Sequence, residues 1–140
     1  MSPGPEERAV REEDYQRLLR FRTELRAFLR WSEDAAHAAG LTPSLHQLLL
    51  VVRGHHADPH GPTIGQASEA LHIRHHSAVE LAQRAEAAQL VRRERDPHDH
   101  RIVYLQLTDQ GRRQLELLTR EHLTRIATLA DVLAHVVEEA

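Results

Sequence analysis

Residues 63–108 read TIGQASEALHIRHHSAVELAQRAEAAQLVRRERDPHDHRIVYLQLT, and the fold turns on this stretch. Thr63 followed by Gln66 has the spacing of a capping box, in which the hydroxyl takes an orphan amide and the glutamine reaches back to the cap. Ile64, Ala67 and Leu71 then recur at helical spacing, and Ala67 and Ala70 are small enough to let a second helix cross closely. The pattern breaks at His72 and Ile73 and resumes as Ala78, Leu81, Ala82 and Ala85, one apolar face of a second helix. Arg74, His75, His76, Ser77, Glu80 and Arg84 fall at its start and on its outer faces. Donors at the exposed N-terminal end of such a helix can reach base edges and phosphates in a major groove.

Beyond Leu90 and Val91 the chain changes period. Val103, Leu105 and Leu107 alternate with Ile102, Tyr104 and Gln106, so two strands are expected, with the segment from Asp96 to His100 turning between them. The tip of this hairpin carries His98, His100 and Arg101, and cations of this kind suit the negative potential of a minor groove. Two short helices, a tight turn and a charged hairpin make a unit for reading DNA.

The order of these features resembles the MarR family of bacterial transcriptional regulators, dimeric winged helix-turn-helix proteins. The resemblance rests on DPHDHR followed by LTDQG, similar to the family's Asp-x-Arg wing tip and the Leu-Thr-x-x-Gly that opens its next helix, with LTP at 41–43 and QLVRR ending at Arg93. It implies that Arg101 enters the minor groove, that Asp99 orients the wing, and that Arg74, His75, His76 and Ser77 open the recognition helix. It implies further a small, often aromatic or anionic, ligand bound between dimerisation helices and reading unit. The sequence departs from the family pattern at His72 and Gln89, where glycine is usual. A left-handed backbone there would cost a non-glycine residue about 1–2 kcal/mol. Arg74 stands where a Ser or Thr cap is usual.

The chain of 140 residues suits one domain, with 41% hydrophobic and only 4% aromatic residues, so its core is built from Leu, Val and Ala. That composition favours a mainly α fold with a small β-hairpin. The net charge of −3 gives a nucleic-acid binder no general attraction, and layout has to supply it. All 18 basic residues are arginine, which suits forked contacts to phosphate and guanine and also fits a source with GC-rich codons. With no cysteine there is no disulfide, thiolate site or thiol switch. No apolar run suggests a leader or membrane span, and a cytoplasmic protein is expected.

Residues 1–10 read as a flexible tail, and residues 11–140 as a single domain: 11–40 and 109–140 as dimerisation helices flanking a reading unit at 41–108. From Glu12, Leu18, Phe21, Leu25, Phe28 and Leu29 form an apolar stripe among arginines that read as a solvated face, with Trp31 expected to be buried at a junction. Thr42 caps the next helix with Pro43 at its first position, and SLHQLLLVV is apolar enough for a central buried helix. Thr108 caps the last, where Leu115, Leu118, His122, Ile126, Leu129, Leu133 and Val136 form a seam longer than one small domain needs. A homodimer interface explains it.

The resulting expectation is a homodimer that binds double-stranded DNA at a pseudo-palindromic operator, a ligand-responsive regulator, most simply a repressor. Its DNA contacts would be Arg74, His75, His76, Ser77, Arg84, His98, His100 and Arg101, with Asp99 orienting the wing. No cofactor, metal or membrane is required, and no Ser-centred elbow, HExxH or Gly-rich phosphate loop suggests an enzyme. Two alternatives remain. One is a metal-responsive version, since imidazoles such as His55, His56 and His60 suit zinc, nickel or copper; without fixed spacing they read more simply as a solvated loop. The other is a winged-helix module that binds protein, supported by the near-neutral charge of the reading unit.

Overall fold

The computed structural model describes residues 8–55 and 59–138. Most of the proposed tail and His56 lie outside them. The elements run α1 (Glu12–Ala38), α2 (Pro43–Gly54), α3 (Ile64–Leu71), α4 (His75–Ala87), β1 (Val91–Arg95), β2 (Val103–Leu107) and α5 (Asp109–Glu138). The fold is mainly α with one antiparallel hairpin, as the composition and the change of period suggest. Two compact units divide it, one from residues up to Ser32 and from His122 onward, the other from Glu33–Glu121.

In the second unit the helix starts are written locally. The Thr42 hydroxyl accepts from the Leu45 amide at 3.2 Å, with Pro43 next in line. Thr63 and Gln66 exchange both bonds of the capping box, at 3.1 and 2.9 Å. The core gathers Leu48, Leu49 and Val52 from α2, Ile64 and Ala67 from α3, Ala78, Leu81, Ala82 and Ala85 from α4, Leu105 and Leu107 from β2, and Leu115 and Leu118 from α5. Each fully buried leucine contributes about 1.5–3 kcal/mol relative to exposure. α2 is central, although Leu50 remains half exposed.

The hairpin pairs Val91 with Leu107, Arg93 with Leu105 and Arg95 with Val103. Its second strand starts at Val103, because the Ile102 carbonyl and amide are taken by Asp96 and Asp99 in closing the turn. An extended segment at Pro62–Thr63 adds to the outer edge of β2, with the Leu105 amide on the Pro62 carbonyl at 2.8 Å. Where Thr108 opens α5, its hydroxyl accepts from the Gly111 amide and donates to the Gln89 carbonyl at 2.6 Å. Gly111 lies so close to the Leu90 carbonyl that an added Cβ would stand 2.1 Å from its oxygen. The glycine of LTDQG is a requirement of packing.

In the first unit Arg17 Nε donates to the Val136 carbonyl at 3.0 Å, and the Ser32 hydroxyl meets His122 Nε2 at 2.6 Å. Trp31 is half-buried, not buried: its ring lies 4.8 Å from that of His122 on one side, and the Arg125 guanidinium covers it at 5.6 Å. The seam of α5 is graded, with Val136 buried and Ile126 46% exposed. Among the described residues no helix is long and apolar enough to cross a membrane.

Candidate nucleic-acid interface

The turn between α3 and α4 is tight because His72 adopts the left-handed conformation, φ 54°, and its amide caps α3. Gln89 does the same after α4, φ 59°. Both are sites where the sequence lacks the usual glycine, and the left-handed geometry is kept. Histidine tolerates that region better than most side chains.

α4 begins at His75, with Arg74 as its N-cap making no side-chain cap bond. Its first-turn amides therefore stay available, in the field of a helix N-terminus that favours anions. Arg74, His75 and His76 are exposed and Ser77 half-buried, while Ala78 turns into the core. Arg84 is exposed further along the helix. The helix thus presents arginine and imidazole on one side of a plain alanine and leucine face.

The wing is built around two aspartates. Asp96 Oδ1 accepts from the His98 and Asp99 amides at 2.8 and 3.0 Å, and its Oδ2 from the Tyr104 hydroxyl at 3.0 Å. These bonds hold the Asp96 carboxyl below the usual range, the two amides first, then Tyr104, with a weaker attraction from His98. Asp99 accepts the Arg101 backbone amide at 3.1 Å and its guanidinium in a fork, Nε at 3.0 and Nη2 at 3.1 Å. The Arg101 side chain lowers the Asp99 carboxyl, and the carboxylate raises Arg101 in return. Arg101 nevertheless stays 91% exposed, and its remaining N–H groups point to solvent. His98 and His100 are exposed beside it.

Two further residues shape the site. Asp96, read from sequence only as part of a turn, anchors the wing as firmly as Asp99; an Asp followed by Pro is the usual opening of such a turn. Glu86 of α4 takes Arg93 of β1 through Nε at 3.1 Å, Nη2 at 2.9 Å and the backbone amide at 3.2 Å. That clamp ties the recognition helix to the hairpin, and the spacing of seven residues across a strand boundary is no sign of it. The structure brings Asp99 and Arg101 together and gathers Arg74 to Ser77 on one turn. No ion pair joins the α4 group to the wing group among the described residues.

The remaining histidines do not converge. The His60 ring lies 5.6 Å from Tyr104, and His55 caps α2. Among the described residues no three metal-ligating side chains come together.

The model of sequences described as the MarR family matches residues 39–102. Over these residues the sequence is similar to the MarR family. The MarR-type architecture extends beyond them. AbsC, a MarR family transcriptional regulator from Streptomyces coelicolor, superposes with a TM-score of 0.72 at 18% identity, over 87% of this chain and 81% of that one. A mutant of MepR from S. aureus, solved bound to an oligodeoxyribonucleotide, gives 0.67 at 22% identity over 84% and 82% of the two chains. CouR from Rhodococcus jostii RHA1, solved bound to p-coumaroyl-CoA, gives 0.59 at 19% identity over 70% and 66%. At these identities the likeness speaks for the MarR fold. No curated protein matches the chain in sequence.

Proposed function

We propose that the chain is a sequence-specific DNA-binding transcriptional regulator, a repressor that occupies a pseudo-palindromic operator as a homodimer and leaves it on binding a small ligand. The observation that carries this reading is the wing tip, where Asp99 holds an exposed Arg101 in a fork on a winged helix-turn-helix. Arg74, His75, His76, Ser77 and Arg84 read the major groove and its phosphates, and His98, His100 and Arg101 the minor groove. The MepR complex with an oligodeoxyribonucleotide supports this use of the fold. Chemistry on a substrate has no part in it, and a regulator of this kind works in the cytoplasm.

For the ligand, a groove of about 540 Å³ lies beside α2, β2 and the start of α5, with Leu107 and Leu115 in its floor and Arg53, Arg112 and Arg120 around it. Glu116 engages Arg120 at 2.6 Å and Asp109 sits 3.6 Å from Arg112, while Arg53 has no ion-pair partner among the described residues. An apolar floor with guanidinium walls suits a carboxylate or phosphate carried on a hydrophobic body. CouR, solved bound to p-coumaroyl-CoA, supports such a use of the fold.

The direct test is a titration of the purified chain against the DNA upstream of its own gene at two salt concentrations. Specific binding should resist competitor DNA and lose affinity steeply as salt rises, because each neutralised phosphate releases counterions. Equal affinity for random duplexes, or binding indifferent to salt, would remove the reading.

A further inference from the structure

Glu86 stands in the last turn of α4, where the negative end of the helix dipole gives a carboxylate no support. What it meets instead is β1. Its Oε1 accepts from Arg93 Nε at 3.1 Å and Nη2 at 2.9 Å, and its Oε2 accepts from the Arg93 backbone amide at 3.2 Å. That amide is open to it because Arg93 faces Leu105, whose own amide goes outward to the Pro62 carbonyl. In such an antiparallel pair both amides point away from the partner strand. The Arg93 guanidinium holds the Glu86 carboxyl below the usual range, against some opposing desolvation, and the amide adds to the effect.

We propose that Glu86 is a positioning residue for DNA recognition: through Arg93 it fixes the angle between the recognition helix and the wing, so that both fit one half-site together. The inference rests on the DNA-binding reading above and deepens it, assigning sequence discrimination to a pair that need not touch a base.

The joint has two points. The main chain turns from α4 to β1 through Gln89 at φ 59°, with the Gln89 amide on the Glu86 carbonyl at 2.9 Å and the Leu90 amide on the Ala85 carbonyl at 2.9 Å. A strand attached at that point alone can still tilt against the helix. The bond from Leu105 to Pro62 ties the hairpin toward the start of α3, not to α4. Glu86 reaches β1 at its middle residue, three residues short of Asp96, whose bonds to the His98 and Asp99 amides and to Tyr104 shape the turn. Three extended residues span about 10 Å, so a tilt released at Arg93 is carried on to the wing tip.

Base readout and phosphate attraction differ in what they tolerate. A hydrogen bond to a base edge needs about 2.7–3.2 Å between heavy atoms, whereas the field of a phosphate array reaches about 10 Å at about 0.1 M salt. A shift of about one ångström between wing and helix therefore loses base contacts while the general attraction survives. Charge works the other way. Glu86→Gln removes a negative charge from the reading unit, and on electrostatics alone it tightens binding to any duplex. The positioning role demands weaker binding to the right one, so the two effects have opposite signs.

The test is fluorescence anisotropy on the full chain, with a duplex selected from a random pool by wild type and with the unselected pool, at one ionic strength, beside urea unfolding. The quantity read is the ratio of the two affinities. Glu86→Gln should lower that ratio about three- to tenfold while binding the pool as well as wild type does, or better. Arg93→Lys keeps the charge and loses the guanidinium approach, so it should lower the ratio too, and it carries the test if Glu86→Gln does not fold. Glu86→Gln combined with Arg93→Gln should lose no more of the ratio than either alone, because both break one contact. A ratio that Glu86→Gln and Arg93→Lys leave unchanged would overturn the proposal while leaving DNA binding intact, as would Gln substitutions whose losses add. Equal losses on both DNAs that follow a lowered urea midpoint would overturn it as well, making Glu86 a stabilising residue only. A wild type that prefers no duplex, or binds neither DNA, would remove the regulator reading itself, and the positioning role with it.

Discussion

At the wing tip a single arginine is placed by one carboxylate. Asp99 takes two guanidinium N–H groups and the backbone amide of Arg101, which fixes its direction without burying it. Arg101→Ala should weaken operator binding on the order of tenfold or more, and unaltered affinity in the anisotropy assay would take the wing out of the mechanism. The aspartates that shape the wing have lowered carboxyls, Asp96 chiefly through amides and Asp99 chiefly through Arg101. Depressed carboxyls of this kind support structure above the unfolded carboxylate value of about 3.9, and that support is lost only as pH falls through the lower folded values. Amide resonances of His98, Asp99 and Arg101 should hold their dispersion in mild acid; collapse near neutral pH would contradict the assignment. Gln89 bears a cost of another kind, a left-handed backbone at φ 59°. Gln89→Gly should raise stability by about 0.5–1 kcal/mol, the relief of the left-handed penalty less the entropy of a new glycine, readable as a higher urea midpoint.

Between elements, the decisive joint is where the recognition helix, the hairpin and α5 meet. Gln89 and Leu90 offer their carbonyls to the hydroxyl and amide of Thr108, and Gly111 lets the α5 backbone lie against them. Gly111→Ala puts a methyl where no room exists, against backbone that cannot swing aside, and should cost about 1–3 kcal/mol in thermal unfolding. A variant as stable as wild type would show that the joint yields more easily than its geometry suggests. The glycine and threonine of this joint were readable as a motif. The reason for them was not, because their partner lies about twenty residues earlier in the chain.

Over the molecule as a whole, charge and apolar surface set how it works. A net charge of −3 gives the chain no general attraction to DNA, so under the proposed function the attraction would have to be local, from the arginines of the reading unit. Leu18, Leu19, Leu29, Leu123, Ile126 and Val137 of the first unit are 46–66% exposed, an amount of apolar surface that a second copy of the chain would cover. Leu123→Glu should therefore shift the protein to monomer in sedimentation and weaken operator binding with it, because two half-sites are no longer held together. A monomeric wild type would remove the dimer from the scheme.

Features that depend on near neighbours along the chain are settled by the order of residues alone. The capping box of Thr63 and Gln66, the cap of Thr42 before Pro43, the apolar faces of α2 to α4 and the alternation in β2 are local patterns, each satisfied within a few residues. The wing pair of Asp99 and Arg101 was legible for the same reason, through a resemblance confined to a short motif. What distant parts do to one another is set by packing. Glu86 finds Arg93 only after a helix has ended and a strand begun, Tyr104 finds Asp96 only across the hairpin, and Trp31 meets His122 only because two helix segments far apart in sequence come together. Periodicity shows which face of an element is apolar, but the partner of a polar side chain depends on register and crossing, which the folded arrangement of elements fixes.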